Sequence, residues 1–195
     1  LAAAAEPDPL TALPGRWGMK KAPPTRDGEI DLRRLSAELG HDFSDPALLL
    51  TALTHPSAVS ITRPRRGKKP VPKSAGSKAA AHPQRSADNQ RLEFLGDRVL
   101  GIVISEMLFH AFPEEDEGAL ARRLAALVKQ DSLDAVARGI GLGGYLTISR
   151  GEEEGGGRDN PAILADACEA VIGAIYLDGG LESARRFIEQ HWRPR

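Results

Sequence analysis

The stretch PAILADACEAVIGAIYL, Pro161–Leu177, decides the fold. It is a helix-length apolar run, opened by an Asn160-Pro161 pair that suits a cap followed by proline at the first helical position. Only two charges interrupt it, Asp166 and Glu169. Residues three apart share one face of a helix, so both carboxylates point the same way from a segment that otherwise belongs in a core. Burying two unpaired negative charges costs several kcal/mol, and a proton, a basic partner or a metal ion must compensate.

Working outward, the same helical patterning recurs. Apolar residues at 32, 35 and 39 predict a short amphipathic helix from Asp31 that stops at Gly40. Asp45-Pro46 opens another, ALLLTAL. Arg91 to about Phe112 is helical in period, and Glu117–Ala137 reads as one long amphipathic helix ended by Gly139. GIGLGGYL is a glycine-rich turn, residues 150–160 a polar loop, and Leu181–Trp192 a final helix. No stretch alternates as a strand does, so the expected fold class is all-α.

At 195 residues the chain suits one ordinary domain, or one domain with tails. Residues 1–29, rich in Ala, Pro and Gly, read as a loose tail, and 30–195 as the domain. Within it, about 60–88 is expected to be a basic, disordered insertion or a long surface loop. The part from Ile61 to Asp88 carries eight Lys or Arg against Asp88 alone, net +7, which leaves −8 on the rest of a chain whose total is −1. No apolar run has membrane-spanning length, and the N-terminal LAAAA is too short for a signal-peptide core, so a cytoplasmic protein is expected. The single Cys168 excludes an internal disulfide and sits where a buried, inert thiol belongs.

A second carboxylate pair, Glu93 and Asp97, lies four apart, within roughly 40° on one helix face. That face continues through Leu100, Gly101 and Ile104, a stripe that turns apolar. Small residues Ala162, Ala170 and Gly173 flank Asp166 and Glu169 and would let another helix approach closely. Two helices meeting on these faces would gather four carboxylates with no His or Cys ligand, a hard-oxygen site suited to Mg²⁺ or Mn²⁺. The alternative is structural pairing of Asp166 and Glu169 with Arg91, Arg98 or Arg122-Arg123.

At these residues the chain resembles the ribonuclease III family. NQRLEFLGD at 89–97 is similar to that family's signature NERLEFLGD, followed at family spacing by FPEEDEGAL at 112–120 and GRDNPAILADACEAVIGAIYLDGG at 157–180. The resemblance covers about residues 30–193. It implies an all-helical catalytic domain in which Glu93, Asp97, Asp166 and Glu169 are the Mg²⁺-binding catalytic carboxylates, with Mn²⁺ able to substitute. It further implies that Glu117 lies near a subunit interface and helps complete the active site. Members of the family are homodimers whose two active sites each cut one strand of double-stranded RNA, leaving 5′-phosphate and 3′-hydroxyl ends, in processing of ribosomal precursor, messenger and other RNA.

Three features depart from the family pattern. Gln90 stands where many bacterial members have Glu, a position outside the four ligands. The basic stretch between THPSA (54–58) and Asn89 is far longer than usual, and the chain ends at Arg195, where a double-stranded-RNA-binding domain normally follows. Phosphodiester hydrolysis needs an activated water and charge stabilisation, so the lack of a Ser/His/Asp or Cys/His arrangement is in keeping. A non-catalytic relative acting as an RNA-binding protein is the main rival; it would be expected to lose metal-binding acids. A carboxylate-bridged di-iron bundle needs Glu-x-x-His pairs, which these helices lack.

Other signals carry less. His41-Asp42 lies outside a helix and has no partner His at suitable spacing, so it reads as a loop pair rather than a metal site. His55 of THPS reads as a capping or packing residue. GIGLGGYL follows a helix, not a strand, and fails as a dinucleotide loop. Trp17 and Trp192 do not form a stacking platform for bases.

Overall fold

In a computed structural model the described residues are 31–60 and 88–192. The expected tail at 1–29 lies outside them, as does almost all of the basic 60–88 segment. Eight α-helices are described: α1 Leu32–Leu39, α2 Pro46–Ala52, α3 Pro56–Ser60, α4 Gln90–Ala111, α5 Glu117–Leu127, α6 Gln130–Ile140, α7 Arg150–Glu154 and α8 Pro161–Trp192. Two 3₁₀ turns, Leu142–Tyr145 and Gly157–Asp159, join them. Among the described residues the only β-type pairing is one isolated parallel bridge, Thr54 to Thr147. The fold is all-α, and none of these helices is long and apolar enough to cross a membrane.

The apolar run at 161–177 forms the centre. Ile163, Leu164, Ala167, Val171, Ile172 and Ile175 are all buried. Helix α8 packs most extensively on α4, then on α6 and α2. From α4, Val99, Leu100, Val103, Ile104 and Leu108 complete this core. Helix starts follow the expected chemistry: the Asp31, Asp45 and Asp116 carboxylates accept from the backbone N–H groups of Arg34, Ala47 and Ala119.

Two expectations are corrected. Residues 150–160, expected as a polar loop, hold α7 and a 3₁₀ turn, with the Ser149 hydroxyl accepting from the Glu152 N–H to start α7. The helix expected over Glu117–Ala137 is two, α5 and α6, separated at Val128–Lys129, and α6 runs through Gly139 to Ile140. The break is held by two side-chain donors, one of them far along the chain. Ser132 Oγ donates to the Ala126 carbonyl at 3.0 Å, and the buried Trp192 Nε1 donates to the Leu127 carbonyl at 2.9 Å. These donors satisfy carbonyls that a continuing helix would have used. Gly141, at φ 78°, ends α6 in the left-handed conformation.

Helix α8 bends at Gly180, whose φ of 74° and ψ of −177° are non-helical. Just before the bend, the Asp178 carboxylate accepts from the backbone N–H of Ser44 (3.0 Å) and Asp45 (2.9 Å) and pairs with His41 Nε2 at 2.9 Å. His41 is therefore engaged with Asp178, pinning the α1–α2 loop to the bend. Together the backbone donors and His41 hold the Asp178 carboxyl below the usual carboxylate range, against the opposing effect of burial.

Candidate active site

Two glycines bring the acidic faces together. A Cβ on Gly96 would overlap the Glu169 carbonyl and stand 2.9 Å from the Gly173 nitrogen, and one on Gly173 would overlap the Leu92 carbonyl. The backbones of α4 and α8 thus touch without side chains between them. The turn Glu93–Asp97 lies directly against the segment carrying Asp166 and Glu169.

The electrostatics register that crossing. The Glu169 carboxyl is pushed up to about 7, chiefly by burial and then by the charges of Glu93 and Asp166, with Arg98 pulling the other way. Glu93 is raised by burial and then by Asp166. Asp166 is raised by burial and lowered by His55. Glu93, Asp166 and Glu169 therefore share one partly buried space, each opposing the others' ionisation.

Among the described residues none of these three carboxylates has an ion-pair partner or a hydrogen-bond donor, so the structural salt-bridge alternative does not describe them. Arg123 is instead committed to Glu115 through two 2.7 Å hydrogen bonds. Asp97 is paired with Arg98 on the outer side of the same turn. Glu117 begins α5 and is exposed. Within this single chain it does not figure among the charges acting on the other acids.

His55 is the neighbour that sequence spacing did not single out. Its Nδ1 accepts from the Ser57 backbone N–H at 3.2 Å and lies 2.8 Å from Ser57 Oγ, which itself accepts from the Ser149 N–H at 3.0 Å. The ring thus caps α3, as its sequence context suggests. It is also close enough to Asp166 to influence its ionisation. The loop is held there by His55 N–H to the Thr147 carbonyl (2.9 Å) and Asn89 N–H to the Thr54 carbonyl (2.9 Å). Cys168 is fully buried, and burial pushes its thiol far above the usual range, so it supplies no nucleophile.

Among the described residues no three potential ligands already stand at coordination distance. The donor set nevertheless fits a hard divalent cation. It is all carboxylate oxygen, mutually repelling and, apart from Asp97, without protein donors, which is the situation a Mg²⁺-like ion relieves.

Fold and site together define a class: an all-helical domain whose two longest helices cross at glycines and gather an acid cluster there. Residues 45–194 match the family model described as Ribonuclease-III-like, and the chain belongs to that family. It is 47% identical over 165 residues to Ribonuclease 3 of Azorhizobium caulinodans, covering 85% of this chain and 62% of that one. It is 46% identical over the same length to Ribonuclease 3 of Rhodobacter capsulatus, with the same shares covered. The chain thus spans about three fifths of these relatives' length. The nuclease domain of ribonuclease III from Campylobacter jejuni, in a structure concerned with flexibility of its dimer-forming region, superposes with a TM-score of 0.66 at 38% identity, covering 83% of this chain and 98% of that one.

Proposed function

We infer that this chain is the catalytic domain of a ribonuclease III, an endoribonuclease that hydrolyses phosphodiester bonds in double-stranded RNA and leaves 5′-phosphate and 3′-hydroxyl ends. The observation that carries this reading is the cluster of Glu93, Asp166 and Glu169 at the Gly96–Gly173 crossing. Glu93, Asp97, Asp166 and Glu169 would hold Mg²⁺, or Mn²⁺ in its place. When bound, such an ion activates a water and stabilises the leaving oxygen of a phosphodiester. The rigid α4–α8 contact holds the carboxylates in mutual register, and the surrounding core keeps Glu169 partly desolvated, which strengthens its interaction with any cation.

Outside the metal ligands, the chain offers a face for a second copy. Phe94, Ile102 and Phe109 project from one side of α4 and are 68%, 57% and 67% exposed. Beside Phe94 lies a groove of about 580 Å³ whose lining includes Leu48, Leu95 and Leu177. A protruding aromatic next to an apolar groove is self-complementary under two-fold symmetry. The Campylobacter domain is described with a region involved in dimer formation, which supports a homodimer here. In such a homodimer each subunit would cut one RNA strand, with Glu117 near the interface completing the site.

Residues 30–195 would form this domain, acting in the cytoplasm on ribosomal precursor stems and other RNA duplexes. A body of charge −8 attracts a polyanion only once metal neutralises the acid cluster, and the basic 61–88 segment would add salt-sensitive phosphate contacts.

The test is to incubate the chain with a long RNA duplex at low salt, with Mg²⁺ and with EDTA, beside the separated strands. Cutting of the duplex only with Mg²⁺, into fragments that carry 5′-phosphates, is expected. A duplex left intact with Mg²⁺ overturns the enzymatic reading.

A further inference from the structure

Arg98 occupies an unusual place for a cation beside a metal site. Its guanidinium pairs with the Asp97 carboxylate and lies 5.3 Å from the centroid of the Phe94 ring. It is the cation whose field favours ionised Glu169. The arginine therefore acts on two of the four acids at once. Glu93, Asp166 and Glu169 have no cation at ion-pair distance among the described residues, and Arg98 reaches Glu169 only through its field. Arginine suits this position because its guanidinium is weakly hydrated, stacks on aromatic faces and keeps its charge at any working pH.

Resting on the metal-ligand reading above, we propose that Arg98 is a positioning residue that serves as the internal counter-cation of the metal-free cluster and must yield Asp97 when a divalent ion binds. The Phe94 ring gives the guanidinium a resting surface, so leaving Asp97 does not strand it. Arg98 offsets the acids' mutual repulsion while the site is empty of metal, and it weakens metal binding by competing for Asp97 and by like-charge repulsion. Both effects have the same origin, so removing the charge separates them in opposite directions. The metal-free protein loses stability and the metal binds more tightly.

The test needs no RNA. Mn²⁺ is titrated into the full chain and free Mn²⁺ is read by electron paramagnetic resonance, for the parent, Arg98→Met, Arg98→Gln and Arg98→Lys. Methionine keeps an apolar stem over Phe94 without the charge, and circular dichroism verifies the fold of each variant. The two neutral variants are expected to bind Mn²⁺ roughly three- to tenfold more tightly, a modest factor because the guanidinium is largely exposed. Arg98→Lys should stay within about twofold of the parent, since the charge remains. In EDTA the neutral variants should melt below the parent, and Mn²⁺ should raise their melting temperature by more than it raises the parent's. Equal or weaker Mn²⁺ binding by both neutral variants overturns the role of Arg98 alone. Failure of the parent and every variant to bind Mn²⁺ overturns the metal-ligand reading, and this inference with it.

Discussion

Gly96 lies against the Glu169 carbonyl so closely that a single added methyl would overlap it. That relationship ties the acid cluster to backbone packing rather than to side-chain choice. Replacing Gly96 with Ala must push α4 and α8 apart, because the obstruction is main chain and cannot rotate away. Overpacking of this kind costs about 1–3 kcal/mol and more when the backbone must move, so Gly96→Ala is expected near or above the upper end. Gly101 is the control, with nothing within 4 Å of its added Cβ. There Ala should stabilise by about 0.5–1 kcal/mol through helix propensity. Urea melts of the two variants check this, and equal effects would refute the close-crossing account.

The raised pKa of Glu169 sets a pH dependence. Its folded value of about 7 lies above the ordinary 4.5, so the folded chain keeps a proton the unfolded chain has released. That contribution to stability is fully present below about pH 4.5 and is lost as pH rises through about 7. Allowing for partial solvent screening, metal-free stability should fall by about 1–3 kcal/mol from this group across that window. Mg²⁺ favours the ionised form and should restore stability mainly at the upper end. Melts in EDTA and in Mg²⁺ across the window, for the parent and Glu169→Gln, measure it. An equal pH slope in the parent and the variant contradicts the assignment.

Asp178 titrates in the opposite sense. Its folded pKa is depressed below 3.8, so its contribution is present above that value and lost as pH falls through the folded pKa. Asp178→Ala removes the acceptor of two backbone donors and of His41, at a cost of about 2–3 kcal/mol. The loss should appear in chemical denaturation at neutral pH and shrink in acid. A variant as stable as the parent at neutral pH would show that the α1–α2 loop is held elsewhere.

Phe94 tests the dimer. Phe94→Ala removes the most exposed aromatic of α4 without touching the buried face of the helix. Sedimentation should show the parent at twice the 20.9 kDa chain mass and the variant shifted toward the single chain, with unchanged helical content. A parent that stays monomeric, or a variant that dimerises as tightly, removes this face from the account.

Much of this was legible because helix periodicity is local. The apolar run at 161–177, the cap at Asp45, and the 166/169 and 93/97 spacings all follow from neighbours along the chain. The motif resemblance supplied what periodicity does not, the pairing of those two faces into one site. What escaped sequence reading depends on residues far apart. The break at Val128–Lys129 is held in part by Trp192, and His55 stands near Asp166 in a loop tied down by the Thr54–Thr147 pairing and by the Asn89 N–H. The pairing of Arg98 with Asp97 was equally hidden, since the sequence offered Arg91, Arg98, Arg122 and Arg123 only as partners for Asp166 and Glu169. Glu117 was marked only by the resemblance, and within the single chain it stands exposed at the start of α5, apart from the charges that act on the other acids.

The central claim is that Glu169, with Glu93, Asp97 and Asp166, holds the metal that cuts RNA. The most direct measurement is the rate of cleavage of one long RNA duplex in saturating Mg²⁺ by the parent and by Glu169→Gln, which keeps the shape and removes the charge. The account predicts a fall of about a hundredfold or more in the rate, on the scale of removing one transition-state-stabilising group, with the fold unchanged by circular dichroism. A Glu169→Gln variant that cuts as fast as the parent would contradict it.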